Sequence, residues 1–268
     1  MTGLNRGVKI GLGGAAVLLL SLLAWLLLVG RPKPVEYRDL LAFTGEPTPE
    51  QRDQTMAILR ARLLEFADPE QAAVLSSQPD GTILLSYRSS AGPGDLARMI
   101  TVPGRCEFRF LHPDQRRVPD ALANGPPEGY EIVNYLETWF RADEKTGEAV
   151  SRMVPTLVER EPVLKPRSFR DVTFRTQGII RETHVRLEFH PDDAAQLAKA
   201  IEERPGVPLG ILVDGVIRIG VIGRMGDGVL ETQGLLDNVP AEKLAKILRH
   251  GPLPLSLRII KSESTSLD

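Results

Sequence analysis

The 268 residues hold a single cysteine, Cys106, which excludes an intrachain disulfide and any zinc site built on cysteine ligands. They also lack an excess of charge. The formal net charge is −2, so no electrostatic footprint argues for nucleic acid as a partner. No Gly-x-Ser-x-Gly elbow, P-loop lysine or His-Glu-x-x-His helix occurs. The 35 acidic residues include no pair that the sequence singles out for acid–base work, so no enzyme, cofactor, metal or small-molecule substrate is expected. Proline and glycine are plentiful (21 and 24) but not periodic, which suits a turn-rich α+β chain better than a helical bundle.

One uncharged run stands out. Ile10 to Gly30 is dominated by Val17-Leu-Leu-Leu-Ser-Leu-Leu-Ala-Trp-Leu-Leu-Leu-Val29. About 20 apolar residues cross a bilayer's hydrocarbon core as a helix, whereas a cleaved signal has a shorter apolar region and a small-residue cleavage site. A retained transmembrane anchor over 10–30 is the reading. Basic residues flank it on both sides (Arg6 and Lys9; Arg31, Lys33 and Arg38), so they do not choose its orientation. Gly11-Leu-Gly13-Gly-Ala-Ala16 spells a dinucleotide fingerprint but follows no strand and lies inside the apolar run.

The sharpest local signals lie from Val207 to Ile260. Val207–Val213 and Val216–Ile222 flank Asp214-Gly215, a two-residue turn sequence that favours positive φ at both central positions. Val229–Gln233 supplies a further strand. Asn238 caps a helix whose stripe is Leu244, Ile247 and Leu248 and which Gly251 stops. Leu255–Ile259 alternates as a closing strand.

Upstream, 31–46 reads as a tether. Thr48-Pro-Glu-Gln51 forms a capping box, and Met56, Leu59, Leu63 and Phe66 form the buried stripe of the helix it opens. Strands are expected at Ala72–Leu75 and Thr82–Tyr87, split by an Asp80-Gly81 turn. A helix follows at Asp95–Ile100, then a strand burying Cys106, Phe108 and Phe110. This order suits an α/β plait. A hairpin is expected around Asp143–Gly147 and a strand over Thr156–Leu164. Val172 and Phe174 start another strand, Val185, Leu187 and Phe189 alternate in the next, and Pro191 opens a helix with Ala194, Leu197, Ala198 and Ile201 on one face.

The triplets His112-Pro-Asp114 and His190-Pro-Asp192 follow apparent strands and are read as turn and helix-start chemistry. His184 and His190 have no carboxylate or cysteine cluster beside them to make a metal site. Gly226-Asp-Gly228 is read as a flexible strand connection. Trp139-Phe140 is a possible aromatic patch of which one member is core.

Three stretches resemble the large extracytoplasmic domain of the SecD family, the membrane subunit assisting the bacterial Sec translocon. They are Ile58-Leu-Arg-Ala-Arg-Leu63, Thr156-Leu-Val-Glu-Arg-Glu-Pro-Val-Leu164, and the Asp214-Gly215 hairpin followed by Ala241-Glu-Lys-Leu-Ala-Lys-Ile-Leu-Arg-His-Gly-Pro-Leu-Pro254. The family's Leu-Gly-Leu-Asp-Leu-x-Gly-Gly run is replaced by Tyr37-Arg-Asp-Leu-Leu-Ala-Phe43. Its five further membrane helices, which carry the groups linked to proton flow, have no counterpart here, so a proton-driven motor is not expected of these residues alone. The resemblance implies a membrane-anchored accessory binding unfolded polypeptide, the Sec translocon or SecF-like subunits. The alternative is a cell-envelope scaffold reusing the domain. It implies a single-pass inner-membrane protein with a cytoplasmic N-terminus and an extracytoplasmic, periplasmic domain.

The expected fold is therefore α+β: one N-terminal transmembrane helix, then two small α/β-plait (ferredoxin-like) lobes with mainly antiparallel sheets. The expected divisions are a tail at 1–9, the anchor at 10–30, the tether at 31–46, a first lobe at 47–165, a second lobe at 166–262 and a tail at 263–268.

Overall fold

The computed structural model describes residues 35–67, 72–89, 94–140, 149–177, 182–221, 225–232 and 238–266. The expected anchor at 10–30 lies outside these residues. Among the described residues no helix is long and apolar enough to cross a membrane.

Thirteen strands are described: β1 (Val35–Phe43), β2 (Val74–Ser77), β3 (Ile83–Ser89), β4 (Cys106–Phe110), β5 (Tyr130–Phe140), β6 (Ala149–Glu159), β7 (Asp171–Gln177), β8 (Glu182–Glu188), β9 (Leu209–Val213), β10 (Val216–Val221), β11 (Met225–Gly226), β12 (Val229–Glu231) and β13 (Leu257–Ser266). The helices are α1 (Pro49–Phe66), α2 (Asp95–Ile100), α3 (Val118–Asn124), α4 (Pro191–Glu203) and α5 (Asn238–Arg249). The fold is thus mixed α+β, as expected.

The first sheet has the order β13-β1-β3-β2, antiparallel throughout. With α1 between β1 and β2, and α2 after β3, this is the order of an α/β plait. Helix α1 starts where the sequence requires. Thr48 Oγ1 accepts from the Gln51 amide at 3.2 Å, Gln51 Oε1 accepts from the Thr48 amide at 3.0 Å, and Pro49 occupies the first turn. Its Met56, Leu59 and Leu63 pack with Tyr37, Leu41, Ile83, Leu85 and Tyr87 of the sheet.

Two expectations are corrected here. Most of the stretch read as a tether, 31–46, is β1, a central strand. Its inward positions Tyr37, Asp39 and Leu41 are all buried, and the charged middle member interrupts the apolar alternation that marks a strand. The plait's fourth strand is β13, not Cys106–Phe110. β13 also runs on to Ser266, well beyond Ile259, because β1 offers a pairing partner along its whole length.

Strand β4 instead joins the second sheet, of order β4-β9-β10-β5-β6, with one parallel pair, β10 on β5. This sheet curls back on itself. His112 N–H donates to Leu157 O at 2.9 Å, and Leu111 bridges Val158, so β4 meets the β6 end. Arg109 on β4 reaches across to Glu131 on β5 and to Glu159 O at 3.4 Å. Burial pushes the Glu107 carboxyl up, but hydrogen bonds from Arg109 and Lys165 outweigh it and hold Glu107 below the usual carboxylate range.

The third sheet, β11-β12-β8-β7, is antiparallel and carries α5 against β7 and β8. Its hairpin-beside-hairpin order is not that of a plait, so the second expected plait lobe is replaced by this sheet together with the curled one. The shared core explains why. Phe108, Phe110, Leu209, Ile211 and Val213 of the second sheet pack with Val172, Val185, Leu187 and Leu230 of the third, and with Leu197, Ala245 and Leu248 of the helices. Strand pairing also crosses the expected division at 165/166, since β9 pairs with β4 and β10 with β5.

Candidate functional site

The residues singled out by sequence do not converge. His112 Nδ1 accepts from the Asp114 amide at 2.9 Å, its ring packs on Tyr130, and Asp114 accepts from the Arg116 amide at 3.1 Å. His190 directly precedes α4, whose first turn holds Asp192 and Asp193, and its Nε2 lies 3.2 Å from Ser168 Oγ. Both triplets stand at turns and helix starts as expected, while the two imidazole rings also reach Tyr130 and Ser168. His184 Nδ1 lies 3.1 Å from Thr232 O. Among the described residues no group of three His, Cys, Asp or Glu side chains is placed to hold a metal ion. Asp227 and Gly228 form the tight β11–β12 turn with φ of 51° and 76°. Trp139 and Phe140 lie on β5, paired with Val150 and Ala149, and their side chains lie outside the described residues.

Two features were not picked out by sequence, and the first is a free strand edge. The second sheet curls back so that β4 meets β6 only at Leu157 and Val158, leaving the outer side of residues 149–156 without a strand partner among the described residues, and β2 is only four residues long. Strand β7 has its Val172 carbonyl occupied by Arg249, which donates from Nε at 3.1 Å and Nη2 at 2.7 Å. Strand β13 is ten residues long, and among the described residues nothing pairs with its outer side. Residues 260–265 are exposed, and Ile260 keeps 45% of its surface in solvent at the β1–β13 register shift. Lone edges of this length expose unpaired N–H and C=O groups.

The second is a polar seam beneath α1. Arg62 is 0% exposed and donates from Nη1 to Ile100 O (2.9 Å) and Val102 O, and from Nη2 to Gly251 O (2.8 Å) and Pro103 O (3.5 Å). Burial lowers its pKa to about 10, with the Asp214 carboxylate opposing the fall. Asp214 in turn accepts from the Gly104 and Arg105 amides, both at 3.0 Å. Nearby, Glu65 Oε1 accepts from Arg249 Nη1 at 2.6 Å and lies 3.3 Å from His250 Nε2. Arg62 did carry a sequence signal: it stands three residues after Leu59 and four before Phe66, on the apolar stripe itself.

Beside β13, Asp39 is also 0% exposed. Its Oδ2 accepts from Tyr87 Oη at 3.0 Å and its Oδ1 from Ser262 Oγ at 2.5 Å, while Tyr87 Oη accepts from the Gly94 amide at 2.9 Å. Burial and the nearby Asp39 charge push the Tyr87 phenol well above its ordinary value of 10.0. A raised pKa means the folded state holds this proton more tightly than the unfolded chain. The resulting stabilisation is present below about pH 10 and is lost as pH rises through the folded value. Denaturant midpoints should therefore fall above pH 10, and Tyr87→Phe should flatten that part of the profile. An unchanged alkaline slope in the variant would assign it to other groups.

No protein-family model and no curated protein sequence matches this chain. Solved structures do share its fold. A crystal structure of SecDF in a super-membrane-facing form aligns over 87% of this chain at TM-score 0.60 and 17% identity. A second structure, of a membrane component SecDF that enhances protein export, aligns over 84% at TM-score 0.51 and 18% identity, covering 98% of that chain. The present chain spans 30% of the length of the first SecDF chain. The resemblance read from the sequence thus holds at the level of fold.

Proposed function

We propose that this chain is a membrane-anchored, SecD-like accessory of protein export whose folded region engages extended polypeptide along the free edge of β13. The observation that carries this reading is that edge, ten residues long and unpaired, on a fold shared with a membrane component that enhances protein export. Backbone pairing suits such a task because it demands little of the partner's sequence. In this reading residues 10–30 hold the chain in the inner membrane in a single pass. The N-terminus is cytoplasmic, and the folded region lies outside, near the translocon and SecF-like subunits.

The test is site-specific photo-crosslinking in native membranes with a secretory polypeptide arrested in transit. A probe at Thr265 on β13 should crosslink to the polypeptide or to a translocon subunit. A probe at Leu64, exposed on α1 on a surface without a free edge, should not. Equal labelling from both positions would remove the edge from the proposal. Capture of wall or assembly proteins alone from Thr265 would favour the envelope-scaffold alternative.

A further inference from the structure

The plait is discontinuous in sequence. Its second helix ends at Ile100 and its closing strand starts at Leu257, with β4 to β12 and α3 to α5 inserted between them. β13 can seat beside β1 only if the two ends of this insert are held together. Besides the Glu65–Arg249 pair between α1 and α5, two groups hold them. Leu253 N–H donates to Pro103 O at 2.8 Å, and Arg62 binds the outgoing carbonyls of Ile100, Val102 and Pro103 and the returning carbonyl of Gly251 at once. Arg62 belongs to neither end, because it sits on α1 in the plait core.

The insert also supplies the balancing charge. The Asp214 carboxylate, in the β9–β10 turn, is fixed against the outgoing connection by the Gly104 and Arg105 amides. Gly104 makes room for this arrangement. Its φ is +74°, and a Cβ there would stand 2.8 Å from both Arg62 Nη2 and Ile247 Cγ2.

From this convergence we infer that Arg62 is a clasp through which the plait depends on a folded insert. With the insert unfolded, the Gly251 carbonyl and the Asp214 charge disperse. The Arg62 guanidinium, lying between the plait and the insert, then loses the Gly251 acceptor and the Asp214 charge, and a cation left partly buried with fewer partners is destabilising. The plait opens with it, and the β13 edge is lost. The folded insert reverses each of these steps, so the two units unfold as one.

The experiment is a urea titration of the full chain in mild detergent with two local readouts. Hydrogen exchange of β1 and β3 peptides reports the plait. Labelling of Cys106, the only thiol and one buried on β4, reports the insert. In the parent chain the two midpoints should coincide. In Arg62→Met they should separate, because a neutral side chain neither needs nor supplies the link, and Arg62→Lys should separate them less. A shift of both midpoints together in Arg62→Met, or no shift, would overturn the inference and leave Arg62 as an ordinary packing residue. If Arg62→Met does not accumulate as folded protein, Asp214→Asn leaves the carbonyl acceptors of Arg62 in place and removes the insert's charge, together with one of the two amide hydrogen bonds that the carboxylate accepts. It should give a smaller separation, and coincident midpoints there would equally overturn the inference. Polypeptide binding does not enter either readout, so the result stands apart from the export reading.

Discussion

Phe108→Ala is expected to lower the unfolding free energy of the folded region by about 3–5 kcal/mol, the range for deleting a fully buried aromatic ring. Phe108 is 0% exposed on β4, and its ring stands edge-on to Phe169 and Phe189 at centroid distances of 6.5 and 5.4 Å. Two further features make the site unable to collapse cheaply. Its backbone is pinned on one side by β9 and on the other by Leu164, with Phe108 N–H donating at 2.9 Å. The ring also lies where the second and third sheets share their core, so the void would face both. Urea denaturation of the detergent-solubilised full chain measures this, with Leu64→Ala as the exposed control, expected within about 0.5 kcal/mol of the parent. A loss below about 1 kcal/mol for Phe108→Ala would mean that the sheets repack around the missing ring.

Gly104→Ala should cost about 2–5 kcal/mol, from two sources that a paired control separates. An L-residue held in the left-handed region costs about 1–2 kcal/mol by itself. The remaining 1–3 kcal/mol, roughly, is overpacking. The new methyl would meet Arg62 Nη2 and Ile247 Cγ2 at 2.8 Å. An arginine tip ordinarily swings aside, but this one is held by carbonyls from both connections and cannot move without giving them up. Gly215 has nearly the same φ, +79°, and open space where its Cβ would go. Gly215→Ala therefore reports the backbone cost alone. The two variants should differ by about 1 kcal/mol or more, measured by the same denaturation. Equal losses would show that the seam yields to a methyl group.

Both effects lie inside the insert and at its root, and neither touches the outer side of β13. Variants at these positions should lower the amount of folded protein without altering which partners the remaining folded fraction meets. That contrast separates stability from recognition when export is assayed.

Local chemistry was well read from the sequence wherever a few neighbouring residues decide the conformation. The Asp214-Gly215 turn has φ of 52° and 79°, as its two-residue hairpin requires. Helix α2 keeps its expected bounds, and α1 starts on the expected capping box. Strand β1 was missed because Asp39 sits in the middle of its buried face. Such a position is tolerable only because Tyr87 and Ser262, 48 and 223 residues away in sequence, supply the hydroxyl groups that satisfy it. The last part of β13, Lys-Ser-Glu-Ser-Thr-Ser266, has no apolar alternation at all. It is a strand because β1 pairs with it.

Turns, caps and amphipathic stripes are legible along the chain because each is set by contacts a few residues apart, and the α+β class follows from their order. Folding in three dimensions settles which sheet each strand joins, that the plait closes with the distant strand β13, and that one arginine on an apolar stripe contacts both ends of the insert. Those outcomes depend on carbonyls, hydroxyls and strand edges brought together across 38 to 223 residues. The alternation of side chains along a strand says which face is buried, but not which other strand will cover its edge.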